Sequence, residues 1–170
     1  NSAKGYDLFG NAITKILDKH DDWQAVVIGD EPREKLIYKH KNLKIAGFKR
    51  NDYILNFLKE VSISVICSRW NEPFGRASLE AASRGSAVII SNKGGLPETA
   101  QDAIILKSLT SNNIFRAVNK LIQNREYLIN LQKKNYSNFK FNHTFITKII
   151  DSIRKQFNEE TAVKHFYTKK

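Results

Sequence analysis

A single cysteine, Cys67, stands among 170 residues, which excludes an internal disulfide framework. It sits inside an apolar run, so a buried structural thiol in a reducing cytosolic compartment is expected rather than a reactive one. Long hydrophobic runs are also missing. Stretches such as Ala25 to Ile28 and Ala87 to Ile90 are far short of the roughly 18 apolar residues a membrane span needs. The opening residues Asn1-Ser2-Ala3-Lys4-Gly5 do not read as a signal peptide. Metal-ligand spacing is lacking as well: there is no Asp-x-Asp, and His20, His40, His143 and His165 are scattered. Asp21-Asp22 falls at a helix end and reads as surface.

What remains is the composition of a folded domain, with 41% hydrophobic and 26% charged residues. A mass of 19.5 kDa suits one domain with a sizeable core. Acidic residues are outnumbered, 17 against 28 basic ones, for a formal net charge of +11. Such a surface attracts polyanions. Nucleic acid, an anionic membrane face and phosphorylated small molecules are all compatible with it, as is a solvated basic background.

Periodicity divides the chain into alternating elements. Phe9, Ala12, Ile13, Ile16 and Leu17 share a helical face that runs from Tyr6 to about His20. Strands are expected at Trp23 to Ile28, Leu43 to Ala46, Ile63 to Cys67, Ala87 to Ile90 and Ala103 to Leu106. Between them the pattern predicts helices around Arg33 to His40, from Asp52 to Lys59 with Asn51 or Asp52 as cap, from Arg76 to Arg84, and a short one at Pro97 to Ala100. Helices marked by Ile114 to Ile122, Leu128 and Leu131, and Phe145 to Phe157 close the chain, and the polar residues from Asn158 are expected to fray. Short, almost wholly apolar strands alternating with helices imply a Rossmann-like doubly wound parallel sheet covered on both faces. Residues 1–157 form that domain and 158–170 a polar tail. Ligands of such sheets bind at the carboxyl ends of the strands, so the loops after Ile28, Ala46, Cys67 and Ile90 are where a site is expected.

The loop after Cys67 carries the chemistry. In Asn71-Glu-Pro-Phe-Gly-Arg-Ala-Ser-Leu-Glu80 two carboxylates lie eight positions apart, one in a rigid turn and one inside the following helix. Between them, backbone N–H groups near Phe74 and Gly75 precede a helix start, where orphan donors and the dipole favour a phosphate. A carboxylate accepts hydrogen bonds from two vicinal hydroxyls, so the pair suits a phosphate flanked by two sugars. That is the shape of a nucleotide sugar.

The run from Ser68 through Glu98, with its Glu-x7-Glu and Gly-Gly-x-x-Glu patterns, resembles the family 4 glycosyltransferases of GT-B fold. Lys4-Gly5-Tyr-Asp-Leu-Phe, Val27-Ile-Gly-Asp and Ile45-Ala-Gly-Phe extend the resemblance over residues 4–150, and they match the C-terminal, donor-binding half of such enzymes. The resemblance implies hexosyltransferase-type transfer from a nucleotide-diphosphate sugar with retention and without a metal, in lipopolysaccharide or other surface polysaccharide assembly. It implies that Glu72 contacts the donor sugar, that Phe74 and Gly75 present amides to sugar or phosphate, that Glu80 holds the ribose, and that Lys4 binds the diphosphate. Phe48 and Lys49 would border the base. Glu72 and Lys4 are the catalytic candidates, Lys4 as a fixed cation against charge on the leaving group. Arg76 either reaches a phosphate or covers the loop, Trp70 either packs or offers a platform, and Glu98 equally suits a first-turn carboxylate facing the helix dipole.

The family has an arginine shortly before the lysine, at the end of a strand that opens the domain, and neither is present here. The chain is therefore expected to be part of a longer polypeptide, lacking its first strand and the N-terminal acceptor domain, and to bind donor without efficient turnover. The cysteine usage reads as cytoplasmic, and if the acceptor is lipid-linked the basic surface is expected to meet an anionic cytoplasmic membrane face. Two other readings stand beside this one: a non-catalytic scaffold of the same fold, and a basic nucleic-acid-binding module. The second lacks any helix-turn-helix, RNP or zinc pattern, so no nucleic-acid partner is expected.

Overall fold

The computed structural model describes residues 2–29 and 38–167, with side chains through residue 158. Two compact units divide at Asn138/Phe139. In the first, α1 (Tyr6–Lys19) leads into β1 (Ala25–Ile28) and β2 (Leu43–Gly47). Next come α2 (Asn51–Phe57), β3 (Ile63–Ile66), α3 (Arg76–Ser83), β4 (Ala87–Ser91), α4 (Leu96–Thr99) and β5 (Ile104–Leu106). Helices α5 (Ser111–Gln123) and α6 (Arg125–Ser137) close the unit. Every strand pair is parallel, so the α/β alternation read from the sequence is the observed architecture.

The core follows the apolar periodicity. The inner face of α1, with Ala12, Ile13, Ile16 and Leu17, packs with Ile114, Val118 and Leu121 of α5 beside the sheet. Burying Leu17 completely contributes about 2 kcal/mol. Strand β4 is central in its sheet and wholly buried; Ile89 serves one side of the sheet, while Val88 and Ile90 join Ala81, Ala82 and Leu96 on the other.

The parallel sheet is not continuous across the described residues. It is divided into a two-stranded part, β1-β2, and a three-stranded part, β3-β4-β5. Between β1 and β3 lies a cavity of about 500 Å³, walled by Ala25, Val26 and Ile28 on one side and Ile63 to Ile66 on the other.

Two boundaries differ, and one expected helix is largely untested. The cap of α2 is Arg50, with no side-chain hydrogen bond, in place of Asn51 or Asp52. The helix expected at Arg33 to His40 falls largely outside the described residues. In the second unit, α7 (His143–Tyr167) continues through Asn158, so the expected tail is helical as far as Tyr167. Among its residues, Glu159, Glu160, Ala162 and Lys164 are ordinary helix formers, and polarity alone does not stop a helix.

Candidate functional site

Three segments meet at the carboxyl end of β3: the turn at residues 2–5, the β3–α3 loop, and the β4–α4 loop. The Arg69 and Trp70 amides donate to the Ala3 carbonyl at 2.9 and 3.3 Å, and the Gly95 amide donates to the Glu72 carbonyl at 2.7 Å. Ser91 Oγ donates to the Ser68 carbonyl at 2.6 Å. Gly5 must be glycine here. Its φ is +72°, and a Cβ would stand 2.0 Å from the Cys67 carbonyl oxygen.

This convergence brings Lys4 and Glu72, 68 positions apart, into an ion pair between Lys4 Nζ and Glu72 Oε1. The Glu72 side chain is 16% exposed and that of Lys4 58%. Burial pushes the Glu72 carboxyl upward, but hydrogen bonds from Lys4 and Ser68 together with the Lys4 charge outweigh it and hold the group below its ordinary range.

Gly75 opens α3 with φ +88° and no side-chain cap. Phe74 beside it is half exposed. Arg76 Nη2 donates to Glu80 Oε1 at 3.1 Å and to Asn51 Oδ1 at 3.3 Å, linking α3 to the start of α2. Arg76 is thus a partner of Glu80 in this structure, with its side chain 73% exposed. Glu80 is 18% exposed and also borders the cavity between β1 and β3. Phe48 is 74% exposed, and Lys49 Nζ sits 5.6 Å above the Tyr53 ring. Trp70 is 61% exposed and packs little against the described residues. Glu98 lies in the first turn of α4. Cys67 is buried, as expected, and its thiol is pushed up to about 11 by desolvation.

The sequence reading missed the second connection between the turn and the loop. Arg69 Nη1 and Nη2 donate to Asp7 Oδ1 and Oδ2, both at 2.6 Å, and Nη1 also donates to the Ser2 carbonyl at 2.5 Å. The guanidinium beside Asp7 holds that carboxyl below its ordinary range. Its members lie 62 positions apart, and no motif announces them.

The class these features define is a parallel α/β domain with a lysine–carboxylate site at the carboxyl ends of its strands. The family model for glycosyl transferases group 1 matches residues 1–138, and the chain belongs to that family. It is 30% identical over 144 residues to an uncharacterized glycosyltransferase of Methanocaldococcus jannaschii, covering 77% of this chain and 36% of that protein. It is 26% identical over 141 residues to a lipopolysaccharide 1,2-N-acetylglucosaminetransferase of Salmonella typhimurium, covering 72% and 37%. The chain thus spans little more than a third of these relatives. Among solved structures, the C-terminal domain of a glycosyl transferase group 1 family protein from Francisella tularensis superposes with a TM-score of 0.71 at 27% identity, covering 81% of this chain and 78% of that one. An Anabaena protein solved in complex with UDP-glucose shares the fold, with a TM-score of 0.75 at 17% identity over 91% of this chain and 46% of its own. The chain therefore has the fold of the C-terminal domain of GT-B glycosyltransferases.

Proposed function

We propose that this chain supplies the donor site of a retaining glycosyltransferase, holding a nucleotide-diphosphate sugar while its sugar passes to an acceptor bound elsewhere in a longer polypeptide. The observation that supports this most is the meeting of Lys4 with Glu72 at the strand ends, with Glu80 eight residues further along. In this reading Lys4 exchanges its partner for the diphosphate and offsets charge on the leaving group. Glu72 accepts hydrogen bonds from the sugar, and amides at Phe74 and Gly75 face sugar or phosphate. Glu80 accepts from the two ribose hydroxyls, Arg76 stays beside it, and Phe48 and Lys49 border the base. The transfer needs no bound metal, so a chelator leaves the rate unchanged.

The acceptor class that the Salmonella typhimurium relative suggests is a lipopolysaccharide or other surface glycan. With a formal charge of +11, the chain would then work against an anionic membrane face. Among the described residues no helix is long and apolar enough to cross a membrane. The cavity between β1 and β3 is assigned to one further parallel strand from polypeptide outside the 170 residues. In the longer polypeptide, amides of β1 and β3 that point into the cavity should exchange slowly, and exchange as fast as at an open sheet edge would remove that strand.

Calorimetric titration with UDP, GDP, ADP and their sugar conjugates tests the donor site, with Glu80→Ala as the control. One nucleotide should bind, and the variant should lose about 1.5–3 kcal/mol, as for a hydrogen bond to a charged group. Failure of every nucleotide to bind the longer polypeptide leaves the scaffold reading in its place.

A further inference from the structure

A lysine carries its charge on a flexible four-carbon stem, so where that charge falls depends on what fixes its backbone. Lys4 lies in a short turn ahead of α1. One guanidinium grips that turn from two sides: Arg69 reaches the Ser2 carbonyl before Lys4 and both carboxylate oxygens of Asp7 after it. The Arg69 amide holds the Ala3 carbonyl between them. Arg69 itself stands in the loop that presents Glu72, three residues further on.

We propose that Arg69 and Asp7 are positioning residues, a latch that sets the Lys4 ammonium relative to Glu72 and thereby aims it at the diphosphate of the donor. The inference rests on the donor-site reading and adds to it two residues that lie outside the Glu-x7-Glu loop pattern. Both side chains are nearly half exposed, 40% for Arg69 and 46% for Asp7, and ion pairs so placed contribute little to folding. Orientation is what this one provides. A fork of two parallel N–H···O bonds fixes direction as well as distance, and an ammonium cannot reproduce it. Attraction between Lys4 and a phosphate depends on their separation, so a turn released from the loop weakens the diphosphate contact and leaves base and ribose contacts unchanged.

The experiment compares, on the full polypeptide, the affinity for a nucleoside diphosphate with that for its monophosphate, using UDP and UMP and the guanosine and adenosine pairs. The ratio of the two isolates the end of the donor nearest Lys4. Arg69→Lys and Asp7→Asn should each shrink that ratio roughly tenfold, as loss of an aimed charge-assisted contact implies, with the melting temperature nearly unchanged. Lys4→Ala should shrink it as much, and the double variant Lys4→Ala/Arg69→Lys should shrink it no further, because the latch acts through Lys4. An unchanged ratio in both latch variants overturns the latch while the donor site stands. Equal weakening of monophosphate and diphosphate also overturns it, since that marks a general structural role. Absence of any nucleotide binding to the unaltered polypeptide overturns the donor site and the latch together.

Discussion

Gly94 packs its backbone against that of Glu72. A Cβ at Gly94, where φ is +55°, would stand 2.2 Å from the Glu72 carbonyl oxygen and 2.7 Å from its nitrogen. The next residue, Gly95, donates its amide to the same carbonyl. The β4–α4 turn thus acts as a backbone mould for the loop that carries the site's carboxylate. Gly94→Ala should cost about 2–3 kcal/mol, from left-handed strain and a displaced loop. Gly85→Ala is the comparison. Its φ is +77° but its nearest neighbour is the Tyr136 Cβ at 3.4 Å, so only the conformational penalty of about 1 kcal/mol is expected. Urea denaturation of both variants distinguishes them, and equal losses would refute the mould.

Glu72 should make the chain acid-sensitive. Its carboxyl lies below the ordinary value of 4.5 in the folded state, so the folded chain binds its proton less readily than the unfolded chain. The stability this contributes is complete above that ordinary value and is lost as pH falls through the lowered native one. Glu72→Gln should lower stability at neutral pH and flatten the decline below pH 4.5. Asp7, held low by Arg69 but nearly half exposed, adds only a small slope of the same sign. Denaturant midpoints measured from neutral pH downward give the answer; a variant with the parent's slope would contradict the assignment.

Ser78 and Thr99 join α3 to α4 inside the core. Their hydroxyl oxygens lie 2.7 Å apart, and Ser78 Oγ is also 2.7 Å from the Gly75 carbonyl it donates to. Both residues are buried. Ser78→Ala should cost about 1–2 kcal/mol, and Thr99→Val a similar amount. In the double variant the losses should fall short of their sum by at least about 0.5 kcal/mol, because either single change already breaks the one bond the two hydroxyls share. Strict additivity would show that the two hydroxyls act independently.

Cys67 should behave as an inert thiol. It is 5% exposed, its proton points at the Gly5 carbonyl 3.3 Å away, and burial raises its pKa to about 11. At pH 8 a disulfide reagent should label it at least about a hundredfold more slowly than the urea-unfolded chain, since it reacts as the thiolate. Fast labelling in native buffer would mean that the turn at residues 2–5 opens readily.

Much of this was open to inspection in the residues. The apolar face of α1 and the strand at Ala87 to Ile90 follow from periodicities of three to four and from unbroken apolar runs. Glu72 and Glu80 stand out because a turn and a helix start separate them by a set interval. The burial of Cys67 follows from its neighbours Val65 and Ile66. The readings that changed are equally instructive. Polar residues beyond Asn158 suggested fraying, yet they are helix formers, and α7 continues to Tyr167. Arg50 displaced better-suited neighbours as the cap of α2.

By itself, then, the sequence determined the order and type of the elements, the inward faces, and which loop bears paired carboxylates. These are matters of residues within a few positions of one another, where sterics, propensity and hydrophobic period act directly. Tertiary structure alone decided that Lys4 meets Glu72, that Arg69 grips Asp7, and that Gly94 moulds the Glu72 loop. Those relationships join segments separated by some 20 to 70 positions. They exist because packing the strands side by side brings their carboxyl ends together, and side chains that share no local pattern then stand within hydrogen-bonding distance.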